Sequence, residues 1–357
     1  MMYDKEFLVI DGSMGEGGGA ILRLSAAFSI LYNQPIRIIN IRSKRPKPGL
    51  RLQHLLGLRS LAELTGSKLS NCDVGSTDLT FNPNNDIKTS IQVNISTAAS
   101  IGLLIQPIQI ACLGIKDHGK VEIKFNGGGT FGKWAPSMNY LMHVTYPIFE
   151  QVGLKVEVDI NKHGWYPKGG AIGKITIYPP KEKLNPIKMT ELGKIEEIHG
   201  EIIISNHLKR ERDDIARRIK RATENYLKDF SNFTTNIREI WVNSSSPGVG
   251  LSLWAQSNNG NIISSGTILG EKRISSEKLG EMAANEILNY IKKDIPIDRY
   301  LSDQVIPLMA YIRESSIIRV LDITSHAKTN IQVIKKFTNR DYKIIKNKDD
   351  TCYIQYN

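Results

Sequence analysis

Residues 7–23 read FLVIDGSMGEGGGAILR and join two hydrophobic patterns through a glycine-rich turn. The apolar run Phe7-Leu8-Val9-Ile10 has the length and composition of a buried strand, and the residues from Ala20 to Leu31 are apolar on most faces of a helix. Four glycines surround the carboxylate of Glu16 between them. A strand, a glycine-rich turn and a helix in this order predict an α/β protein.

Length and composition limit the class of protein. A chain of 357 residues is too long for one core of ordinary size, and about 150 residues per domain predict two domains, or one large domain with an insertion. Apolar residues make up 41% and charged residues 23%, which excludes a disordered or fibrous chain. No apolar run reaches the roughly 18 to 20 residues of a membrane span, so no membrane association is expected.

The cysteines and the first residues indicate a compartment. The three cysteines form no CxxC pair, which argues against a disulfide framework or a zinc site. The first residues resemble a short strand more than a signal peptide. A cytoplasmic location is therefore expected.

The charge of the chain indicates a polyanionic partner. Forty-seven basic and 36 acidic residues give a net charge of +11, and the pI is near 9.4. Residues 185–280 are nearly neutral, whereas residues 37–51 hold six basic and no acidic side chains. The positive charge is densest directly after the first strand–helix unit.

Helices and strands alternate through the first half of the chain, and their order is repeated in outline. The first set of predicted elements is a strand at 35–41, a helix at 52–64 ending at Gly66, strands at 68–74 and 90–95, and a helix at 98–113. The second set is a strand at 121–125, a glycine loop at 127–129, a helix at 136–152 and a strand at 154–160. This repeated order of elements predicts duplicated strand–helix units.

A proline-rich segment predicts a domain boundary. Residues 179–186 contain three prolines. The predicted elements beyond them are an amphipathic helix containing Ile215, Ile219, Ala222 and Tyr226, strands at 239–242, 250–255 and 262–268 with a hairpin turn at 258–261, and a helix at 276–293 that leads back to the main body. We expect a large domain of residues 1–184 and 279–357, and a small inserted α/β domain of residues 185–278.

The glycine-rich turn and the basic run after it are candidate phosphate sites. Glycines leave backbone N–H groups free to face an anion, and the following helix adds its positive end. The turn is neither a Walker A loop nor a complete GxGxxG fingerprint. The run at 42–54 presents guanidinium groups that bind phosphate in a bidentate manner, although such a run is usually only a solvated face. Its position favours phosphate binding.

His326 is the candidate catalytic residue. Of the seven histidines, it alone lies in a short polar cluster directly after an apolar strand, at residues 317–321. Imidazole titrates near neutrality and acts as a base, a ligand or a nucleophile, whereas an isolated histidine is usually structural. No second His or Cys lies at metal-ligand spacing, so zinc hydrolysis is not favoured.

Four motifs together resemble a known family. They are Asp11-Gly…Gly15-Glu16-Gly-Gly-Gly19…Arg23, then Arg45-Pro-Lys-Pro-Gly49…Gln53-His54, then Gly164-Trp-Tyr-Pro-Lys-Gly-Gly170, and Ser325-His326-Ala-Lys-Thr-Asn330. In this combination the chain resembles the RNA 3′-terminal phosphate cyclase family over nearly its whole length.

The resemblance implies a fold and a reaction. The fold would be α/β (α+β): a large domain of three repeated βαβαββ-like units, each resembling the C-terminal domain of a bacterial translation initiation factor, interrupted by the smaller domain. The reaction would convert an RNA 3′-phosphate end to a 2′,3′-cyclic phosphodiester at the expense of ATP. It would pass through a histidine–AMP intermediate and an RNA-adenylate, with release of pyrophosphate and AMP.

The resemblance also assigns residues. The nucleophile is His326, and Tyr300 would stack on adenine. The implied ATP-binding residues are Gln106, Tyr300, Leu301, Ser302, Asp303 and Gln304. The implied phosphate and RNA-end residues are Glu16, Arg23, Arg42, Arg45, Gln53 and His54. A divalent cation, Mg²⁺ or Mn²⁺, would be held with the help of Asp303 and Glu16.

Two alternatives stay open at this point. A non-catalytic, cyclase-like RNA-binding protein of ribosome assembly would keep the fold and lack the nucleophilic histidine, so the presence of His326 favours the enzyme. An enolpyruvyl-transferase-like enzyme would share similar repeats, but the His326 motif is foreign to it. The physiological RNA, the metal, the nucleotide preference, the oligomeric state and the role of the inserted domain are left open.

Overall fold

The protein was analysed as a computed structural model, which describes residues 6–115, 119–210, 214–230 and 233–357. Its first part contains two successive sets of strands and helices. The first set is β1 (Leu8–Asp11), α1 (Gly19–Tyr32), β2 (Ile36–Ile39), α2 (Leu52–Thr65), β3 (Lys68–Ser70) and β4 (Leu79–Asn82). The second set is β5 (Ser90–Ser100), α3 (Ile101–Ala111), β6 (Val121–Gly129), α4 (Met138–Tyr140), α5 (Tyr146–Val152), β7 (Lys155–Lys162) and β8 (Ile172–Tyr178).

The remaining elements belong to two further sheets. One of them, called the fourth sheet below, is formed with its helices by β10 (Glu197–Ser205), α6 (Ile215–Phe230), β11 (Thr234–Val242), β12 (Val249–Gln256), β13 (Ile262–Leu269) and α7 (Ser276–Lys292). The elements of the other sheet and its helices come before and after these in the sequence, and they are β9 (Lys188–Met189), α8 (Arg299–Tyr311), β14 (Ser316–Val320), α9 (Ser325–Ile334), β15 (Tyr342–Lys346) and β16 (Cys352–Tyr356).

Three of the four sheets have the same topology. Their strand orders are β1-β2-β4-β3, β5-β6-β8-β7 and β9-β14-β16-β15. In each, the first two strands of the order pair in parallel, and the other pairs are antiparallel. A crossover helix, α1 or α3, joins the parallel strands of the first two sheets, whereas the connection from β9 to β14 contains the elements of the fourth sheet and α8. The fourth sheet has the different order β11-β10-β12-β13. The predicted α/β class is confirmed.

Several predicted elements differ in extent from the observed ones. The predicted strand at 68–74 ends at Ser70, and β4 was not predicted. The predicted helix at 136–152 contains a π-helical turn, Leu141–Thr145, between α4 and α5. An apolar periodicity alone does not show such a turn, since the side chains on either side stay buried.

The fourth sheet has a hydrophobic core of its own. Ile202 and Leu251 from the sheet are fully buried with Ala283 and Ile287 of α7. A larger core unites the other three sheets and their helices. The predicted boundaries of the small inserted domain, between residues 184 and 185 and between residues 278 and 279, stay a prediction. Helix α7 packs on the fourth sheet.

Helix packing brings the two ends of the chain together. Helix α1 packs against α3 and α9, and α9 packs against α8. The glycine-rich turn before α1 needs its glycines, because Gly15 and Gly17 have left-handed φ angles of 51° and 58°. A Cβ at Gly15 would also overlap the hydroxyl of Thr329 in α9. The turn therefore lies directly against α9.

None of the helices in the described ranges combines the length and the apolar character that crossing a bilayer requires.

Candidate active site

The first turn of α9 presents His326 to the glycine-rich turn. Nδ1 of His326 lies 2.6 Å from Oε1 of Glu16. A carboxylate only accepts hydrogen bonds, so Nδ1 is the donor, and in the neutral imidazole the lone pair is then on Nε2. The His326 side chain is 55% exposed and that of Glu16 15%. The hydrogen bond thus fixes the orientation of the His326 ring and leaves Nε2, the nitrogen with the lone pair, as a nucleophilic atom at the surface.

Electrostatics couple this pair. The hydrogen bond that His326 donates to Glu16 raises the pKa of His326, and the charge of Asp303 adds to the effect. Burial raises the pKa of Glu16, but the hydrogen bond from His326 and the charge of Arg45 outweigh burial and lower it below its usual value. Glu16 therefore stays a carboxylate near neutral pH and stabilises a charged imidazolium.

A second network fixes the start of α9. The hydroxyl of Thr324 accepts a hydrogen bond from the N–H of Ala327 at 2.8 Å and donates one to Oδ1 of Asp303 at 2.7 Å. Thr324 is the N-cap of α9, two residues before His326. Nδ2 of Asn330 also donates to the carbonyl of Asp303, at 3.2 Å. Asp303 thereby holds the turn of helix that carries the imidazole.

Replacing Thr324 by valine is expected to lower the free energy of unfolding by about 1 kcal/mol, because the cap of α9 is lost. The pKa of His326 should also fall, because release of the first turn weakens the hydrogen bond to Glu16 that raises it. Chemical denaturation and an NMR titration of the His326 ring measure the two effects. Thr324→Ser keeps both hydrogen bonds and should behave as wild type. Equal pKa values of His326 in the valine variant and wild type would show that the cap does not position the ring.

A buried arginine lies behind the glycine-rich turn. Nε of Arg23 donates to Oε1 of Gln106 in α3 at 2.7 Å, and both residues are less than a tenth exposed. Burial lowers the pKa of Arg23 to about 10, against the charge of Glu16, which raises it. The guanidinium is still charged at neutral pH and gives the site a buried positive charge. Gln106 orients it.

His54 is a neutral hydrogen-bond donor beside this arginine. Its Nδ1 accepts the N–H of Arg51 at 3.1 Å, which puts its proton on Nε2. Burial and the charge of Arg23 lower the pKa of His54 to about 3. A Cβ built on Gly19 would lie 2.7 Å from Nε2 of His54 and 2.9 Å from Arg23. Only glycine fits there, at the positive end of α1.

The arginine loop, residues 42–51, borders the same turn. Arg45 lies 3.8 Å from Oε2 of Glu16, and Nζ of Lys44 donates to the carbonyl of Ser13 at 3.1 Å. Within the described part of the chain, Nε of Arg42, Arg45 and Arg51 is buried without a hydrogen-bond partner. A buried N–H without an acceptor is costly, and a phosphate oxygen is the acceptor that guanidinium prefers. The loop is suited to an anion.

The other predicted site residues occupy different surroundings. Gln53 exchanges hydrogen bonds with the backbone of Ser100 at the start of α3. The ring of Tyr300 is 41% exposed and packs edge-on against Tyr140, with ring centroids 5.8 Å apart. Leu301 is fully buried, the hydroxyl of Ser302 donates to a backbone carbonyl, and Gln304 is nearly buried. Their contribution to nucleotide binding stays a prediction.

The two predicted metal ligands, Asp303 and Glu16, lie close to His326. Burial raises the pKa of Asp303 to about 6, and the charge of Glu16 contributes. Over residues 6–115, 119–210, 214–230 and 233–357, no three His, Cys, Asp or Glu side chains form a group that could hold a metal ion. Mg²⁺ commonly uses one or two carboxylates together with substrate phosphates, which is what Asp303 and Glu16 offer.

Two residues of the site were not predicted from the sequence. Thr324 is preceded by a strand and followed by a helix, so the N-cap preference of threonine was its signal. Asp298 is fully buried, caps α8 and accepts the hydroxyl of Tyr140 at 2.8 Å. No local pattern indicates that last contact, since Tyr140 belongs to another sheet's unit.

Comparisons with known proteins find one family that is similar to the chain over most of its length. Residues 14–344 match the profile of a family described as RNA 3′-terminal phosphate cyclase. Proteins named RNA 3′-terminal phosphate cyclase from Thermococcus onnurineus and Thermococcus kodakarensis are each 37% identical over 339 residues, and the matches cover 94% and 95% of this chain and 95% of each relative. The protein of that name from Methanothermobacter thermautotrophicus is 34% identical over 340 residues, and the match covers 94% of this chain and 96% of that relative.

Proposed function

The chain belongs to the RNA 3′-terminal phosphate cyclase family, and from this premise we propose that it is an ATP-dependent enzyme that cyclises RNA 3′-phosphate ends. The observation that supports the proposal best is the hydrogen bond of 2.6 Å between Glu16 and His326. It leaves Nε2 of an exposed imidazole as a nucleophile beside a glycine-rich turn, a buried arginine and three guanidinium groups with unpaired Nε donors.

In the first step, Nε2 of His326 attacks the α-phosphorus of ATP. The N–P bond forms as the bond to pyrophosphate breaks, and Glu16 stabilises the positive charge that develops on the ring. Arg23 and the N–H groups at the start of α1 stabilise the negative charge on the phosphate oxygens. The product is a phosphoramidate of AMP on His326.

The next two steps take place at the 3′-phosphate end of the RNA. An oxygen of the RNA 3′-phosphate attacks the phosphorus of the histidine-bound AMP, which frees Nε2 and gives an RNA-adenylate. The adjacent 2′-hydroxyl then attacks the RNA phosphorus, its proton passes to solvent or a base, and AMP leaves. A phosphate dianion has no good leaving group of its own. Adenylylation supplies AMP as that leaving group, which is the chemical purpose of ATP.

The chain's residues divide into two groups around His326. We infer that Gln106, Tyr300 and Asp303 are on the nucleotide side, with Tyr300 offering a ring for adenine to stack on. Arg42, Arg45 and His54 are on the RNA-end side. A divalent cation held with Asp303 and Glu16 would screen the charge of the triphosphate.

We further infer that the three sheets of equal topology each resemble the C-terminal domain of a translation initiation factor. The equal strand orders support a common origin by duplication. We also infer that the fourth sheet and its helices form the inserted domain.

The test is incubation of the protein with ATP labelled at its α-phosphorus, in the presence of magnesium. We expect a labelled protein band that acid removes and alkali spares, as is typical of a phosphoramidate. A folded protein that takes up no label would exclude this function. It would leave the non-catalytic, cyclase-like RNA-binding protein as the alternative, which the Glu16–His326 pair does not favour.

Replacing Arg45 by alanine is expected to weaken RNA-end cyclisation about 10- to 100-fold at low salt, because one contact to phosphate is lost. The defect should shrink as salt is added, since salt weakens the same contact in wild type. Cyclisation rates of a 3′-phosphorylated oligonucleotide over a salt series measure this. Arg59→Ala, which removes an exposed arginine bonded to Asp73, is the matched control. An unchanged rate at every salt concentration would show that Arg45 only packs.

A further inference from the structure

Trp134 and Tyr166 are the most exposed large hydrophobic side chains in the described part of the chain. Their exposures are 96% and 81%, and the next in order, Val74, is 55% exposed. Neither residue has a role in the chemistry proposed above. An aromatic ring held fully in water has lost the hydrophobic stabilisation that burial would give it. Two such rings indicate a ligand.

The backbone at Trp134 is also strained. Its φ of 59° is in the left-handed region, which a bulky residue adopts at a cost in free energy. The neighbouring Lys133 is fixed by a contact of 2.7 Å between its Nζ and Oε2 of Glu271 at the end of β13. Strain and exposure at one residue are a combination that packing does not explain.

The two loops that carry these rings are joined to each other. The N–H groups of Thr130 and Phe131 both donate to the carbonyl of Gly164, at 2.9 Å and 3.3 Å. Phe131 stacks on Trp165 with ring centroids 4.9 Å apart and planes 5° apart. Each exposed ring therefore follows a buried, stacked aromatic by one to three residues. The exposed rings are presented by an ordered pair of loops.

The Tyr166 loop is anchored on its other side as well. The N–H of Lys168 donates to Oγ of Ser246 at 3.1 Å, and Nζ of Lys162 donates to Oγ of Ser245 at 3.0 Å. The side chain of Lys168 is exposed. Rings interleaved with basic side chains are suited to a single-stranded nucleic acid, whose bases stack while its phosphates meet the charges.

This surface is connected to the RNA-end residues through the pairing of β5 with β6. The residue after β6 leads into the Trp134 loop, and Gly129 at the end of β6 is paired with Ser100. The backbone of Ser100 exchanges two hydrogen bonds with Gln53, which directly precedes His54 of the RNA-end side. The aromatic loops and the RNA-end residues thus belong to one continuous part of the molecule.

We propose that Trp134 and Tyr166 form a stacking platform for unpaired bases of the RNA strand, upstream of its terminal phosphate. The proposal rests on the proposed function, since it names how the substrate of that site is held. Stacking is tolerant of sequence, because every base has an aromatic face. The enzyme would then prefer single-stranded ends without reading their bases.

The test compares binding of two probes by wild type, Trp134→Ala, Trp134→Phe and Tyr166→Ala. The long probe is a single-stranded oligonucleotide of about ten nucleotides with a 3′-phosphate, and the short probe is uridine 3′-phosphate. Each alanine variant should bind the long probe about 5- to 150-fold more weakly, the range for one lost stacked base. Binding of the short probe should not change. Trp134→Phe should restore most of the affinity.

Labelling by ATP separates this proposal from the proposed function. It should be the same in wild type and both alanine variants, which also shows that the variants fold. Phe230→Ala, which removes an exposed ring on α6, should leave both probes bound as in wild type. Equal binding of the long probe by wild type and Trp134→Ala would overturn the platform. So would a defect in ATP labelling without a defect in RNA binding, since the ring would then serve the nucleotide. Absence of label in wild type would instead refute the cyclase activity.

Discussion

Replacing His326 by alanine should reduce the transfer of labelled AMP from ATP to the protein to background, a loss of at least about 10³-fold. Nε2 of this ring is the proposed nucleophile, and the variant leaves Glu16 without the imidazole that donates to it. The measurement is single-turnover labelling followed by denaturing electrophoresis. Because the side chain is more than half exposed, the thermal stability of the variant should be close to that of wild type.

The matched control for that variant is His207→Ala. His207 is also an exposed histidine; it follows β10 of the fourth sheet, and its Nε2 lies 3.0 Å from the carbonyl of Ser244. This variant should be labelled as fully as wild type. RNA binding by His326→Ala should stay largely intact, since the arginine loop and His54 are unchanged. A His326→Ala protein that still acquires an acid-labile label would place the nucleophile elsewhere.

Replacing Glu16 by glutamine should slow labelling by up to about 10⁴-fold, the loss known when the carboxylate partner of a catalytic imidazole becomes an amide. An amide can donate to Nδ1, and the proton of the ring then moves to Nε2, where it blocks the lone pair. The amide also gives no charge to stabilise the imidazolium. The variant keeps the size of the side chain, so the loss is chemical in origin.

The pH dependence gives this prediction a second readout. Glu16 raises the pKa of His326, so in wild type the imidazole stays protonated to a higher pH than an ordinary histidine. Labelling by wild type should therefore rise with pH through that raised pKa. Without the carboxylate the pKa of His326 falls, and the midpoint of the rise should move to lower pH while the plateau stays low.

Labelling rates between about pH 5 and 9 and an NMR titration of the His326 ring measure the shift. Glu157→Gln, which neutralises an exposed carboxylate paired with Lys155 on β7, should change neither the rate nor the midpoint. A Glu16→Gln variant whose midpoint matches wild type would mean that the hydrogen bond seen in the structure does not govern the titration of His326.

Local patterns predicted most of the elements because their causes are local. A continuous apolar run predicted β1 and apolar alternation predicted β2, and the glycine at 66 ended α2 with a left-handed φ of 64°. The π-helical turn at 141–145 escaped prediction, since it changes hydrogen bonding without changing which residues are apolar. The packing of α7 on β12 and β13 of the fourth sheet is likewise a tertiary contact that the apolar pattern of α7 does not identify.

In the site, the residue types alone indicate which side chains can do chemistry. The glycine-rich turn, the arginine loop and the motif around His326 can be recognised as short motifs, because backbone freedom, charge and nucleophilicity belong to the residues themselves. Which of these groups act together depends on the packing of the folded chain. Glu16 and His326 lie near opposite ends of the chain, and the packing of α1 against α9 makes them a hydrogen-bonded pair. The same packing sets the raised pKa of one ring and leaves that of His54 near 3, because burial and neighbouring charge are properties of the folded surroundings.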